Sequence, residues 1–100
     1  MKNLLYFYEF GSKDSPSIKT IFSDAPSPYK DKIIQYLRHG KVELVSAGFT
    51  FDYFTGERLD DKDEIMTDGE YVWNTALIYY VDRYNAQLPE EFVNKIIGKA

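Results

Sequence analysis

The apolar positions of this chain fall into runs of different period, and its elements begin and end where the period changes. Residues 4–10, LLYFYEF, are apolar and aromatic with almost no polar face, the pattern of a buried strand. The Ser-, Pro- and Gly-rich stretch GSKDSPSIKTIFSDAPSPYK follows, and as a structureless connection it would be unusually long for a small domain. Ile18, Ile21 and Phe22 stand at i, i+3 and i+4 behind Ser15-Pro16, which predicts a short helical turn that anchors it.

A firmer helix is expected over residues 28–38. Pro28 suits its first turn, Ile33, Ile34 and Leu37 share a face, and Gly40 is expected to end it in the left-handed conformation. The next eleven residues, KVELVSAGFTF, alternate enough to read as a strand, with Gly48 as a bulge or close-approach point. An acidic stretch then holds the turn FTGE and is expected to form a solvated, exposed loop. Glu64–Met66 and Glu70–Trp73 flank Thr67-Asp68-Gly69, and Asp-Gly between two such segments is a hairpin signal, because glycine accepts the positive φ of a tight turn.

After Trp73 the period becomes helical, with Leu77, Tyr80, Val81 and Tyr84 at i, i+3, i+4 and i+7 behind Asn74 or Thr75 as cap. With Asn74 as cap, Trp73 and Ile78 occupy the positions of a hydrophobic staple. Asn85 can close this helix, and Pro89 opens another whose Glu90 and Glu91 favour the positive end of its dipole, with Phe92, Val93, Ile96 and Ile97 inward. The expected order is β, helical turn, α, β, β, β, α, α. This is an α+β fold, a small antiparallel sheet of three to four strands packed against about three helices.

Composition narrows the function. One hundred residues, 44% of them apolar, fit one domain with one core. With no cysteine, disulfides, thiolate metal sites and a cysteine nucleophile are excluded. The N-terminal apolar run has neither the length nor the charge pattern of a signal peptide, and nothing approaches the roughly 20 apolar residues of a membrane span. A cytoplasmic bacterial protein is the expectation. Residues 51–70 hold eight acids and two bases, a net −6, so the rest of the chain sums to +2 against an overall −4. Such a segment repels phosphate backbones and attracts cationic surfaces, so direct nucleic-acid binding is not expected.

Candidate chemistry is sparse. His39, the single histidine, sits at a helix end where a donor satisfies the last carbonyls. Ser46 lacks the G-x-S-x-G context of a nucleophile elbow. The run Asp60-Asp61-Lys62-Asp63-Glu64 spaces acids as a calcium loop does, yet counting from Asp61 places Met66 where glycine is required and Val72 where glutamate is. The six glycines are scattered singly, so no phosphate cradle forms. No cofactor is expected. Tyr79, Tyr80 and Tyr84 read as core residues with hydroxyls reaching the surface. Tyr53, Phe54 and Tyr71 sit among acids in or beside turns, the combination that partner-binding surfaces use.

FTGE (54–57), TDGEYVW (67–73), LIYYVDRYN (77–85) and LPEEFV (88–93) together resemble small immunity proteins encoded beside contact-dependent growth inhibition and other polymorphic bacterial toxins. The resemblance covers residues 54–93. Ala76 stands where that pattern often carries an acid, so no role for such an acid transfers. The resemblance implies a non-catalytic inhibitor that binds the C-terminal toxin domain of a cognate effector, many of which are nucleases with basic clefts. The expected contact residues are Tyr53, Phe54, Asp60, Asp61, Asp63, Glu64, Asp68, Glu70 and Tyr71, the acids speeding association and the aromatics holding the complex. The alternatives are a small adaptor or regulator, and a hydrolase using carboxylates of the acidic segment.

Overall fold

The computed structural model describes residues 2–4, 7–8 and 13–98. Its elements are strand β1 (Lys2–Asn3), a 3₁₀ turn (Ile18–Ile21), helix α1 (Lys30–Arg38), strands β2 (Lys41–Phe51), β3 (Arg58–Thr67) and β4 (Tyr71–Asn74), and helices α2 (Thr75–Tyr84) and α3 (Glu90–Ile97). The sheet order is β1-β4-β3-β2; β2, β3 and β4 are antiparallel neighbours and the short β1 adds parallel to β4. The fold is α+β, in the expected element order.

Local chemistry explains most boundaries. Asn74 caps α2 by accepting from the Leu77 amide at 2.9 Å, and Asn85 ends that helix in the left-handed region at φ 54°, as a short polar side chain can. The expected helical turn forms as a 3₁₀ turn, and its cap is Ser17, whose Oγ accepts from the Lys19 amide, rather than the expected Ser15. Lys30 then ties α1 to the end of α2, donating to the Asp82 carbonyl at 2.7 Å and to Asn85 Oδ1 at 2.9 Å, a cation at the negative end of the α2 dipole.

One hydrophobic cluster joins the three helices to the sheet, with Trp73, Leu37, Leu77, Tyr80 and Phe92 at its centre. The Trp73 indole Nε1 donates to the Leu37 carbonyl at 3.2 Å, which satisfies its polar atom and fixes the ring. Truncating an aromatic at such a position costs about 3–5 kcal/mol.

Four expectations change. The first strand was placed at residues 4–10, but the strand is Lys2–Asn3; Leu4, Phe7 and Tyr8 are not in a strand, and residues 5, 6, 9 and 10 lie outside the described residues. Helix α1 starts at Lys30 rather than Pro28, because Ser27 first closes a turn, its Oγ accepting from the Tyr29 amide and its carbonyl from the Lys30 amide. Gly40 does not adopt a positive φ; the cap is His39, and Gly40 serves a close approach to Trp73 instead. The largest change is in the acidic stretch, where the FTGE turn stays a turn but residues 58–63, expected in an exposed loop, extend the hairpin segment expected at Glu64–Met66 into the ten-residue strand β3. Its pairing with β2, from Lys41 opposite Thr67 to Phe51 opposite Arg58, supplies backbone hydrogen bonds that override the poor strand propensity of aspartate. The register shifts between Val45 and Phe49, around Gly48, where a bulge was expected.

Strand β4 covers β3 only from Ile65 to Thr67. Beyond it the Glu64 amide turns to Thr75 Oγ1 at 3.3 Å, and the rest of β3 continues with β2 as a two-stranded arm. β2 is the sheet edge, and Val42, Leu44, Val45 and Phe51 on it are exposed.

Candidate protein-binding face

The turn between β2 and β3 is organised by a buried acid. Asp52 has no solvent exposure, and its carboxylate accepts from the Phe54 amide at 2.8 Å, the Thr55 amide at 3.0 Å, the Tyr79 hydroxyl at 2.7 Å and the Tyr84 hydroxyl at 2.6 Å. The two amide bonds make an Asx turn. The Asp52 amide and carbonyl close the same loop on Glu57 and Gly56, and Gly56 takes the positive φ of 75° that the loop needs. Burial alone would raise the Asp52 pKa; the donors, Tyr84 and Tyr79 foremost, outweigh it and hold the carboxyl below its ordinary value. The same contact works in reverse on the phenols. Burial and then donation to Asp52 push Tyr84 up to about 12 and raise Tyr79 as well.

Around this hub the aromatic rings form one connected group. Phe22 stacks on Tyr84 with ring centroids 4.5 Å apart and meets Phe54 edge-on at 5.4 Å; Phe54 meets Tyr80 and Tyr84 edge-on. The Tyr53 amide donates to the Tyr80 hydroxyl at 3.0 Å, and the Tyr53 ring meets Tyr8 edge-on at 6.4 Å. The outer members stay in water, Tyr53 56% and Phe54 39% exposed, and Phe51 at the end of β2 beside them is 57% exposed. Polar atoms of the inner tyrosines are spent on holding the turn, so the exposed rings are presented from a fixed backbone. Beside them lies a cleft of about 280 Å³ lined by Thr50, Phe51, Tyr53, Asp63, Asn74 and Tyr80.

At the other end of β3 stands a second acid hub. Asp68 accepts from the amides of Glu70 and Tyr71 at 2.9 and 2.7 Å, from the Tyr36 hydroxyl at 2.5 Å and from Lys95 Nζ at 2.8 Å. Burial pushes its carboxyl up, but Lys95, Tyr36 and the two amides outweigh it and hold the group well below the usual carboxylate range; Lys95 is raised in turn, chiefly by its bond to Asp68. Gly69 takes φ 97° in this hairpin turn. A wider cleft of about 520 Å³ opens here between Tyr36, His39, Lys41, Glu43 and Asp68. Asp68, one of its two carboxylates, already accepts from four donors. His39 Nδ1 lies 2.6 Å from the Gln35 carbonyl of its own helix, the helix-end role expected for it.

The nine expected contact residues therefore divide. Tyr53 and Phe54 lie on the exposed aromatic face. Asp63 and Glu64, half-buried on β3, lie toward the same arm. Asp60 and Asp61 belong to β3, and their side chains lie outside what is described. Asp68 is a turn cap and ion-pair partner, and Glu70, exposed, pairs with Lys95 at 3.0 Å. Tyr71 was expected at the surface, but it is 3% exposed, packs edge-on against Phe92 at 4.6 Å and donates to Glu91 at 3.1 Å. The length of β3, about 30 Å at ~3.3 Å per residue, separates the two groups. Sequence reasoning missed Asp52, Thr50 and Phe51. For Asp52 a signal existed, since an Asp three residues before a Thr-Gly pair is an Asx-turn pattern.

Among the described residues no helix is long and apolar enough to cross a membrane. Comparison of the chain with protein-family models, with curated proteins and with solved structures returns no match.

Proposed function

We propose that this chain is an immunity protein, a non-catalytic inhibitor that binds the toxin domain of a cognate bacterial effector in the cytoplasm of the producing cell. The observation that carries the reading is the exposed set Phe51, Tyr53 and Phe54, held on a turn by the buried Asp52 at the end of the acidic segment. Rigid aromatics that lose little entropy on burial are the usual anchors of tight protein complexes. The surrounding negative charge suits a cationic partner surface such as the substrate cleft of a nuclease, and it would raise the rate of encounter. The engagement of Asp52 and Asp68 with several donors each favours binding over hydrolysis, because a carboxylate held ionised and fully hydrogen-bonded is a poor proton carrier.

The test is co-expression. The product of the open reading frame immediately upstream should arrest growth when expressed alone and be tolerated with this chain present. A harmless neighbour, or arrest that this chain does not relieve, would overturn the reading.

A further inference from the structure

We propose that the cleft between Thr50, Phe51 and Tyr53 on one side and Asp63, Asn74 and Tyr80 on the other takes an arginine side chain of the protein partner. The proposal rests on the inhibitor reading above and names the chemistry of the contact. The cleft, about 280 Å³, is near the small end of the range for ligand sites, roughly 300–1,000 Å³. Its lining combines one carboxylate, three aromatic rings, two of them phenols, and the smaller side chains of Thr50, Asn74 and Ala76, and no cationic side chain lines it among the described residues. Arg58, across the ladder from Phe51, is not part of the wall.

The guest can be argued by elimination. An anion would face Asp63 and the net −6 of residues 51–70. An apolar group would desolvate the Asp63 carboxylate without replacing its hydrogen bonds. A cation satisfies the carboxylate and is attracted to the faces of Phe51, Tyr53 and Tyr80.

The acceptors then select among cations. Tyr80 Oη already accepts from the Tyr53 amide and Asn74 Oδ1 from the Leu77 amide, so the least committed acceptor is the Asp63 carboxylate. Thr50 Oγ1 is closed off from solvent, so Thr50 contributes wall rather than an acceptor. A guanidinium carries five donors in a plane and no acceptor, stacks on aromatic faces and sheds water more readily than an ammonium. It can meet the carboxylate in bidentate fashion while lying against a ring. The walls are set beforehand, since Asn74 caps α2 and Tyr53 is tied through its amide, so little ordering opposes binding. The exposed outer faces of Phe51 and Tyr53 offer area to the chain that bears the arginine, which a free amino acid would leave unused.

The proposal can be tested on the intact protein by an NMR titration with three probes: N-acetyl-arginine amide, N-acetyl-lysine amide and the neutral isostere N-acetyl-citrulline amide. The arginine probe should give saturable shifts at the amides of Thr50, Asp63 and Asn74, with citrulline and lysine roughly tenfold weaker or worse. Asp63→Asn should weaken the arginine probe by about tenfold. Absence of saturable shifts at these residues, or equal binding of arginine and citrulline to the unaltered protein, would overturn the proposal. Equal binding of lysine would overturn the guanidinium assignment. The outcomes separate from those of co-expression. Protection from the toxin without arginine binding removes the cleft alone, whereas arginine binding without protection removes the inhibitor reading and leaves the cleft.

Discussion

Gly40 and Trp73 are in a contact that leaves no room for a side chain at residue 40. A Cβ placed there would lie 2.5 Å from Trp73 Cζ2 and 3.2 Å from the Thr67 carbonyl. The indole cannot easily withdraw, since its Nε1 donates to Leu37 and the ring is fully buried. Overpacking of this kind typically costs about 1–3 kcal/mol. Gly40→Ala should therefore lower stability by about 2 kcal/mol, read as a shift of the urea midpoint at unchanged slope. The same substitution in a Trp73→Phe background should cost clearly less, because the smaller ring lacks the atom that is struck. An additive double mutant would show that the contact is not the cause.

The Asp52 hub predicts a particular pH dependence. Its carboxyl pKa is lower in the folded chain, because the donors favouring the ionised form, the Tyr84 and Tyr79 hydroxyls foremost, outweigh the raising effect of burial. A group with a depressed folded pKa contributes stability that is present above its unfolded pKa of about 3.9 and is lost as pH falls through the folded value. Asp52→Asn keeps the shape but not the charge, and should destabilise by about 1–3 kcal/mol near neutrality. The gap between the two proteins should narrow as the pH is lowered from about 6 towards 3, because only the parent has this carboxylate to protonate. A constant gap in urea unfolding across that range would show that the Asp52 carboxyl has the same pKa folded and unfolded, so that its donors do not favour the ionised form.

The sequence displayed those parts of the fold that are set by near neighbours. Asn74 before an apolar helical stripe, Asn85 after it, and Asp68-Gly69 between two apolar segments each work through contacts a few residues away. The first part of β3, residues 58–63, was hidden because its acids have low strand propensity and are held by β2, a partner recognisable only once the two are paired. Gly40 misled for a related reason. Its place after a helix suggests a left-handed cap, while the group it makes room for lies 33 residues away at Trp73. At the candidate face, Tyr53 and Phe54 were legible from their place beside a turn. Asp52 was counted as one more surface acid, because the hydroxyls that bury it arrive from Tyr79 and Tyr84 on another element.

Asp68 separates turn formation from ion pairing. Its Oδ1 accepts the amides of Glu70 and Tyr71, while Oδ2 meets Tyr36 and Lys95. Asparagine can keep the first pair of bonds and loses the charge; alanine loses everything. Lys95 is a third exposed on its side chain, where ion pairs contribute modestly, about 0–1 kcal/mol. Asp68→Asn should accordingly cost about 1 kcal/mol and Asp68→Ala about 2–3 kcal/mol. Thermal or urea unfolding of the pair decides the matter. Equal losses would assign the role of Asp68 to the ion pair rather than to the turn.

The proposed complex predicts a division of labour between charge and rings. Replacing Asp60, Asp61, Asp63 and Glu64 by Asn or Ser removes four negative charges and takes the net charge from −4 to 0. Encounter with a cationic toxin domain is steered by long-range field, so the association rate at low salt should fall by about tenfold or more and lose much of its salt dependence. Tyr53→Ala leaves that field untouched. Tyr53 is 56% exposed and its amide bond to Tyr80 survives the substitution, so the fold should persist while the dissociation rate rises. An interface anchor contributes about 2 kcal/mol, a factor of roughly thirty. Surface-plasmon kinetics with the purified toxin domain separate the two rates. A change confined to dissociation in the charge variant, or to association in Tyr53→Ala, would reverse the assignment of steering to the acids and of residence time to the rings.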